Sequence, residues 1–259
     1  QGALLLETGA ILRPPEVAVA ASAGMARVRI STQPAIMVVS TGDELIEPGE
    51  PIADYQVRRS NAYAIVAALR RRGFQRVGDD HLRDDEASLR ERLALHLHTH
   101  DLVILSGGVS MGKYDFVPKV LTQLGVEEVF HKIAQRPGKP MWFGIGREGQ
   151  SVFGLPGNPV STLVCLARYV IPAIAAAMGA RHPEPERLAL MAPVTCHAPL
   201  TYFMPVGIVH DEWGRSWADP QPTNGSGDFL SLAGSDGFVE LPPGPNTYPK
   251  GFVSSVYRW

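Results

Sequence analysis

From Pro34 to Met178 the apolar positions switch between two periods, and the switching predicts strands interleaved with helices. Ala35 to Ser40 (AIMVVS) is the continuous apolar run of a parallel strand buried on both faces, and it ends in Thr41-Gly42-Asp43-Glu44. Ser60-Asn61 opens Ala62 to Arg72, with Ile65, Val66, Ala68 and Leu69 on one face and arginines in the last turn before Gly73, which predicts a helix with a stop signal. Phe74 to Val77 reads as a weak strand, and Asp84 to His98 as a helix with Leu89, Leu93 and Leu97 four apart. Leu102 to Leu105 is the next buried strand, running into Ser106-Gly107-Gly108-Val109-Ser110-Met111-Gly112. Phe116 to Leu124 is a helix stopped by Gly125. Val126 to Ala134 and Met141 to Ile145 are strands around Arg136-Pro137-Gly138-Lys139-Pro140. Ser151 to Gly154 then passes through Leu155-Pro156-Gly157-Asn158-Pro159-Val160-Ser161 into a long apolar helix, Thr162 to Met178. Asn158 is suited to cap that helix through its side-chain oxygen, with Pro159 at its first position.

This order predicts an α/β fold: a three-layer α/β/α domain over residues 34–180, with a mostly parallel sheet whose ligands bind beyond the carboxyl ends of the strands. Residues 1–33 carry Pro14-Pro15, scattered glycines and short alternating runs such as Ala26 to Ile30. They read as small strands, a remnant of an N-terminal β-rich domain or a strap onto the next one. After the proline and charge-rich linker Arg181 to Glu186, the short runs Leu188–Cys196, Tyr202–Val209, Phe229–Leu232, Gly237–Leu241 and Phe252–Tyr257 predict a small all-β barrel over residues 181–259, without a helix signal.

Composition narrows the function classes. With 45% hydrophobic and 19% charged residues the chain is of ordinary globular type, and a net charge of -2 gives no basic field for sequence-independent nucleic-acid binding, so the partner is read as small. Cys165 and Cys196 suit buried thiols in a reducing compartment rather than a disulfide framework. The apolar stretch Leu163 to Met178 is broken by Arg168 and Pro172 and falls short of the roughly 20 residues of a membrane span, and no signal peptide opens the chain. A cytoplasmic protein without membrane attachment is the expectation.

Several loops carry candidate chemistry, and each has a plain structural reading beside it. Thr41, Gly42, Asp43 and Glu44 put a hydroxyl and two carboxylates past a strand end, to meet a metal or a substrate hydroxyl, or simply form a solvated turn. The loop from Ser106 to Asp115 has glycines that let backbone approach a ligand, donors in Ser106 and Ser110, and charges in Lys113 and Asp115. It is neither a Walker motif nor the dinucleotide fingerprint, and a glycine-rich turn has the same composition. Arg136 and Lys139 sit on a loop stiffened by prolines and are aimed at an oxyanion or at solvent. The helix start at Pro159 suits an anion or is an ordinary strand-to-helix turn, and Asp84 and Asp85 serve a site or cap a helix. His96, His98 and His100 have metal-like spacing but fall at a helix end, where histidine is unremarkable. No Ser/His/Asp arrangement supports covalent catalysis. The combination fits a phosphorylated ligand with a divalent cation.

TGDEL (41–45), SNAYAIVAALRRRG (60–73), RDD (83–85), LSGGVSMGKYDF (105–116), RPGKPMWFG (136–144) and LPGNPVS (155–161), in this order, resemble the molybdopterin molybdenumtransferase family, which includes the gephyrin E domain. GSGDFLSLAGSDGFVELP (225–242) extends the likeness into the barrel. The resemblance implies a homodimeric enzyme that inserts molybdate into adenylylated molybdopterin with release of AMP, assisted by Mg²⁺. Carried over residue by residue, it implies Glu44, Asp84 and Asp115 as functional carboxylates, with Glu44 and Asp115 at the metal. Thr41, Gly42, Asp43, Ser106, Gly107, Gly108, Ser110, Lys113, Pro156, Gly157, Asn158 and Pro159 would line the substrate pocket. Arg136, where the family usually has lysine, Lys139 and Ser226 would hold molybdate. Two departures stand out: family members carry further N-terminal domains, and Leu200 to Val206 lacks the arginine expected near the molybdate. Those departures favour the alternative reading, a non-catalytic molybdopterin-binding or scaffold module, while the retained carboxylates and Lys139 favour the enzyme.

Overall fold

The computed structural model describes residues 3–109, 116–181, 184–196, 199–225, 227–244 and 246–259. The apolar runs read as buried strands pair as parallel neighbours. Val77–Leu82, Ile36–Thr41, Leu102–Ser106 and Ser151–Leu155 lie side by side and parallel, and Trp142–Ile145 and Glu127–His131 continue the sheet antiparallel. Helices cover both faces because both faces are apolar. Ile36, Val38 and Ile104 pack under the helices Ser60–Arg71 and Pro159–Cys165. Val39, Val103 and Leu105 pack under Glu86–Thr99 and Val117–Gln123. Asp85 caps Glu86–Thr99 by accepting the Ser88 N–H at 2.8 Å, while Asp84, beside it, is half-buried.

The edge strand differs from expectation. It runs Val77–Leu82 rather than Phe74 to Val77, and its polar residues are held by distant partners. Asp80 takes Arg92 at 2.7 Å and the buried His96 at 2.7 Å, so one histidine of the three braces the sheet edge; among the described residues no three His, Cys, Asp or Glu side chains group to hold a metal ion. The first residues also differ. Where small strands were expected, Pro14–Ser22 is a helix, because Pro14 suits a first helical position, the following run is rich in alanine and valine, and Glu16 closes a capping box with Arg13. No strand occurs among the described residues before Ile36.

In the second domain Ser216–Pro220, Glu186–Leu190, Val253–Arg258, Gly237–Leu241 and Thr201–His210 pair in that order, and Thr201–His210 returns to Ser216–Pro220, closing a barrel around Leu190, Val206, Val239 and Leu241. Ser216–Pro220 gave no apolar signal in the sequence. Phe229 to Leu232 is not a strand but ends in the 3-10 turn Leu230–Leu232, because the Asp228 carboxylate takes the Ser231 N–H at 3.2 Å and coils the backbone. Leu188 to Cys196 splits into Glu186–Leu190 and Val194–Thr195.

Two features join the domains. Gln135–Arg136, from the loop between the sheet strands, pairs in parallel with Thr201-Tyr202 and becomes a strand of the barrel sheet. The helical stretch Pro159–Ala177, with its mean hydropathy of 1.8, has the length and composition of a membrane span, yet its apolar side is shared between two cores. Cys165, Leu166 and Val170 face the sheet, while Val160 and Val164 meet Phe203, Leu232 and Phe238 of the barrel. Arg168 completes the junction, paired with Glu240 at 2.8 Å and lying over the Tyr257 ring.

Phe238→Ala opens a void where Phe203, Tyr257 and Trp259 converge, and we expect it to cost about 3–5 kcal/mol in urea unfolding. Burial alone would raise the Asp80 carboxyl, but the hydrogen bonds from Arg92 and His96 hold it below the usual carboxylate range. Its contribution is therefore full at neutral pH, begins to fall as the pH drops through about 4, and is lost once the pH passes the lowered folded value. Unfolding Asp80→Asn beside the parent across that window should show the gap between them closing toward acid.

Candidate functional site

The carboxyl ends of three parallel strands open onto one crevice. Ile36–Thr41 ends in Gly42-Asp43-Glu44, Leu102–Ser106 in Gly107-Gly108, and Ser151–Leu155 in Pro156-Gly157-Asn158. The turns nearly touch. A Cβ on Gly157 would lie 3.8 Å from the Gly107 Cα, and one on Gly107 only 2.9 Å from the Thr41 carbonyl oxygen. Gly107 and Gly108 adopt φ of 97° and 68°, so both conformation and space demand glycine there. The Thr41 hydroxyl, 3% exposed as a residue, has no hydrogen-bond partner among the described residues, an orphaned donor facing the glycine turn. Glu44 folds its carboxylate back over Gly42 and stays exposed, and Asp43 pairs with Arg83 at 3.1 Å.

Beneath the strand ends lies a charged network that the sequence did not single out. Arg59, 6% exposed, donates to Ser40 Oγ at 3.1 Å, to Glu47 and to Asp79, so one guanidinium ties a strand end, the loop after Glu44 and the sheet edge together. The bond from Arg59 holds the Glu47 carboxyl below its ordinary value against the opposing effect of burial, and Tyr63 adds a hydrogen bond at 2.9 Å. Two residues on, Asn61 Nδ2 donates to Ser106 Oγ at 3.0 Å and to the Gly157 carbonyl at 2.7 Å. Asn61 was read only as part of a helix start. Its link to Gly157 spans 96 positions and leaves no local pattern.

Two hollows flank Asn158. One, of about 350 Å³, lies between Arg59, Asn61 and Gly157 on one side and Gly227 and Phe229 of the barrel on the other. The second, of about 250 Å³, lies between Arg136, Gly138, Ser161 and the barrel residues Tyr202, Phe203 and Gly225. Asn158 stands at the helix N-cap position with Pro159 behind it, but its side chain does not cap the helix, contrary to expectation. Instead the Thr162 hydroxyl donates to the Asn158 carbonyl at 3.1 Å and also to that of Pro156, fastening the turn from inside.

The loop of Arg136 and Lys139 is rigid underneath and exposed on top. A Cβ on Gly138 would lie 2.5 Å from Gln135 Nε2 and 2.7 Å from Cys165 Sγ, while Arg136 and Lys139 reach solvent. Burial pushes the Cys165 thiol up to about 12, so it is an inert wedge below the loop. Tyr202 pairs with Arg136 in register. Where an arginine was expected in Leu200 to Val206, aromatic Tyr202 and Phe203 form the wall of the second hollow.

Of the residues read from the sequence, Thr41, Gly42, Ser106, Gly107, Gly108, Pro156, Gly157 and Asn158 therefore come together at the strand ends, and Arg136 borders the hollow beside them. Ser110, Lys113, Asp115 and Ser226 lie outside the described residues; the neighbours of Ser226, Gly225 and Gly227, each line one of the two hollows.

Comparison with known proteins agrees with both domains. Residues 37–176 match the family described as a probable molybdopterin binding domain, and residues 187–259 match the MoeA C-terminal region, domain IV. The molybdopterin molybdenumtransferase of a Synechocystis strain is 39% identical over 100% of this chain and 64% of its own length. That of Staphylococcus aureus is 30% identical over 98% of this chain and 61% of its own. A crystal structure of the molybdopterin biosynthesis MoeA protein of Pyrococcus horikoshii superposes with a TM-score of 0.81 at 29% identity, over 98% of this chain and 61% of that one. The chain thus spans less than two thirds of the length of these relatives. With one family matched over the α/β layers and the other over the barrel, the chain belongs to the molybdopterin-binding domain family of molybdenum cofactor biosynthesis, in the MoeA arrangement.

Proposed function

We propose that this chain is the pterin-binding and barrel part of a molybdopterin molybdenumtransferase, which inserts molybdate into adenylylated molybdopterin and releases AMP. The observation that carries the reading is the meeting of three strand-end turns, built for close backbone approach, with a cationic loop that belongs at once to the sheet domain and to the barrel. The full names of the relatives support the same activity.

On this reading the backbone at Gly107 and Gly108, with Ser106 and Ser110, cradles the phosphate end of the substrate, and the Thr41 hydroxyl finds its missing partner there. Lys113, Asp43, Gly42 and the wall from Pro156 to Pro159 shape the remainder. Arg136 and Lys139 hold the incoming molybdate dianion and stabilise charge that develops as water attacks the phosphoanhydride, its oxygen bonding to phosphorus as the P–O–P bond breaks to give AMP and the pterin's phosphate. Ser226 is assigned to the same anion. The substrate's own dithiolene sulfurs ligate molybdenum, so the buried Cys165 is not required as a ligand. Tyr202 and Phe203, in the hairpin where an arginine is expected, close the anion side with an aromatic wall.

We assign Mg²⁺ to Glu44 and Asp115. Glu44 offers one exposed carboxylate, Asp115 lies outside the described residues, and no group of three candidate ligands occurs among those described. An ion of this kind is normally held by one or two carboxylates together with substrate phosphates, which a donor set of Glu44 and Asp115 would satisfy. When bound, it would neutralise charge on the phosphoanhydride oxygens. Asp84, half-buried beside Arg83, is the third carboxylate we assign to the site. The working unit is taken to be a cytoplasmic homodimer with a small-molecule substrate and neither nucleic acid nor membrane as partner.

Calorimetric titration with adenylylated molybdopterin, with and without molybdate, tests binding, and AMP release from the full-length protein tests turnover. We expect molybdate-dependent AMP release that falls on the order of 100-fold in Lys139→Ala and in Glu44→Ala; release untouched by both changes overturns the assignment. Thr41→Val removes a hydroxyl that makes no bond among the described residues, so stability should hold or rise by up to about 1 kcal/mol while substrate affinity drops about tenfold.

A further inference from the structure

The mechanism just proposed leaves Asn61 unused, although its side chain joins two of the three turns. The orientation of the amide is fixed by chemistry: the Gly157 carbonyl is an acceptor only, so the nitrogen must face it, at 2.7 Å, and the same nitrogen reaches Ser106 Oγ at 3.0 Å. Oδ1 is then left buried without a partner among the described residues. An unpaired buried acceptor destabilises a fold, so Asn61 is a poor choice for stability alone. What it does supply is a fixed distance. Ser106 is already held in register with Ser40 and Leu155, and Gly107 N–H donates to the Leu155 carbonyl at 3.2 Å. Gly157, beyond the end of that pairing, is exposed and is anchored across the crevice by Asn61. The anchor is itself anchored, because the helix Ser60–Arg71 begins directly after Arg59, whose guanidinium is locked to Ser40, Glu47 and Asp79.

We propose that Asn61 is a positioning residue whose single amide nitrogen holds the Ser106–Gly108 turn against the Gly157–Asn158 turn, and with them one wall of the crevice that receives the phosphate end of the ligand. What the crevice receives rests on the function proposed above; the clamp itself does not. It works through donation of an N–H, and it involves no contact between Asn61 and the reacting atoms.

Two variants test it. In Asn61→Ala two hydrogen bonds go and one orphaned acceptor goes with them, so the thermal midpoint should stay within about 2 °C of the parent. Exchange of the Gly107 amide, bonded to the Leu155 carbonyl, should nevertheless quicken at least about tenfold, because the clamp no longer restrains local opening. In Asn61→Asp the carboxylate can accept from the Ser106 hydroxyl but is repelled by the Gly157 carbonyl, to which the protonated acid can donate. Burial raises the pKa of such an introduced acid, so the affinity of Asn61→Asp for adenylylated molybdopterin, taken relative to the parent, should recover as the pH is lowered from about 8 to about 5. Unchanged exchange in Asn61→Ala, or an affinity ratio in Asn61→Asp that is flat with pH, overturns the inference. If the parent binds no adenylylated molybdopterin at all, the functional reading falls, and the exchange measurement alone upholds or overturns the clamp.

Discussion

The helix that starts at Pro159 has apolar residues on more than one side, and the architecture follows from the need to cover them. Cys165, Leu166 and Val170 are buried against the sheet, which leaves Val160 and Val164 to be covered by something else. The barrel answers with Phe203, Phe238 and Leu232, and the Arg168 to Glu240 pair closes the seam where a charge would otherwise stand unpartnered in an apolar surround. Because the N-terminus of this helix is also the Gly157–Asn158 turn, packing at the domain junction and geometry at the crevice are consequences of one constraint. A substitution far down the seam thus acts on the site through the helix rather than through any direct contact.

Around the crevice, conformational demands are met by residues of very different kinds. Gly107 and Gly108 are small because backbone passes backbone there, Arg59 is large and charged because three acidic or hydroxylic partners converge on it, and Cys165 is inert because it is buried under a loop. The exposed cations Arg136 and Lys139 stand on that packed floor. The loop backbone is thus fixed from beneath while both cationic side chains stay in solvent.

Legibility in the sequence followed the range of the forces involved. Strands such as Ile36–Thr41 and Leu102–Ser106 were readable because burial on both faces makes them apolar throughout, and the loops of the crevice were readable because glycine and proline leave local signatures. Val77–Leu82 was not, since Asp79, Asp80 and His81 look like a loop until the fold brings Arg59 to Asp79, and Arg92 and His96 to Asp80. The helix Pro14–Ser22 lies in a stretch whose scattered glycines and short alternating runs suggest small strands, while Pro14 in fact occupies a first helical position. Asn61 shows the same limit at the site: its partners lie 45 and 96 residues away, and no spacing rule reaches that far.

The two-residue pairing of Gln135-Arg136 with Thr201-Tyr202 bears on how the molecule can be divided. By sequence the natural place to separate the domains is the connection around Arg181 to Pro185, and a protease or an engineer would choose it. A cut there severs the chain but not the sheet. The excised α/β domain would carry away a barrel strand on its own loop, leaving the Thr201–His210 strand with an open edge and Phe238 with half its covering lost. The domains are two by composition and one by hydrogen bonding.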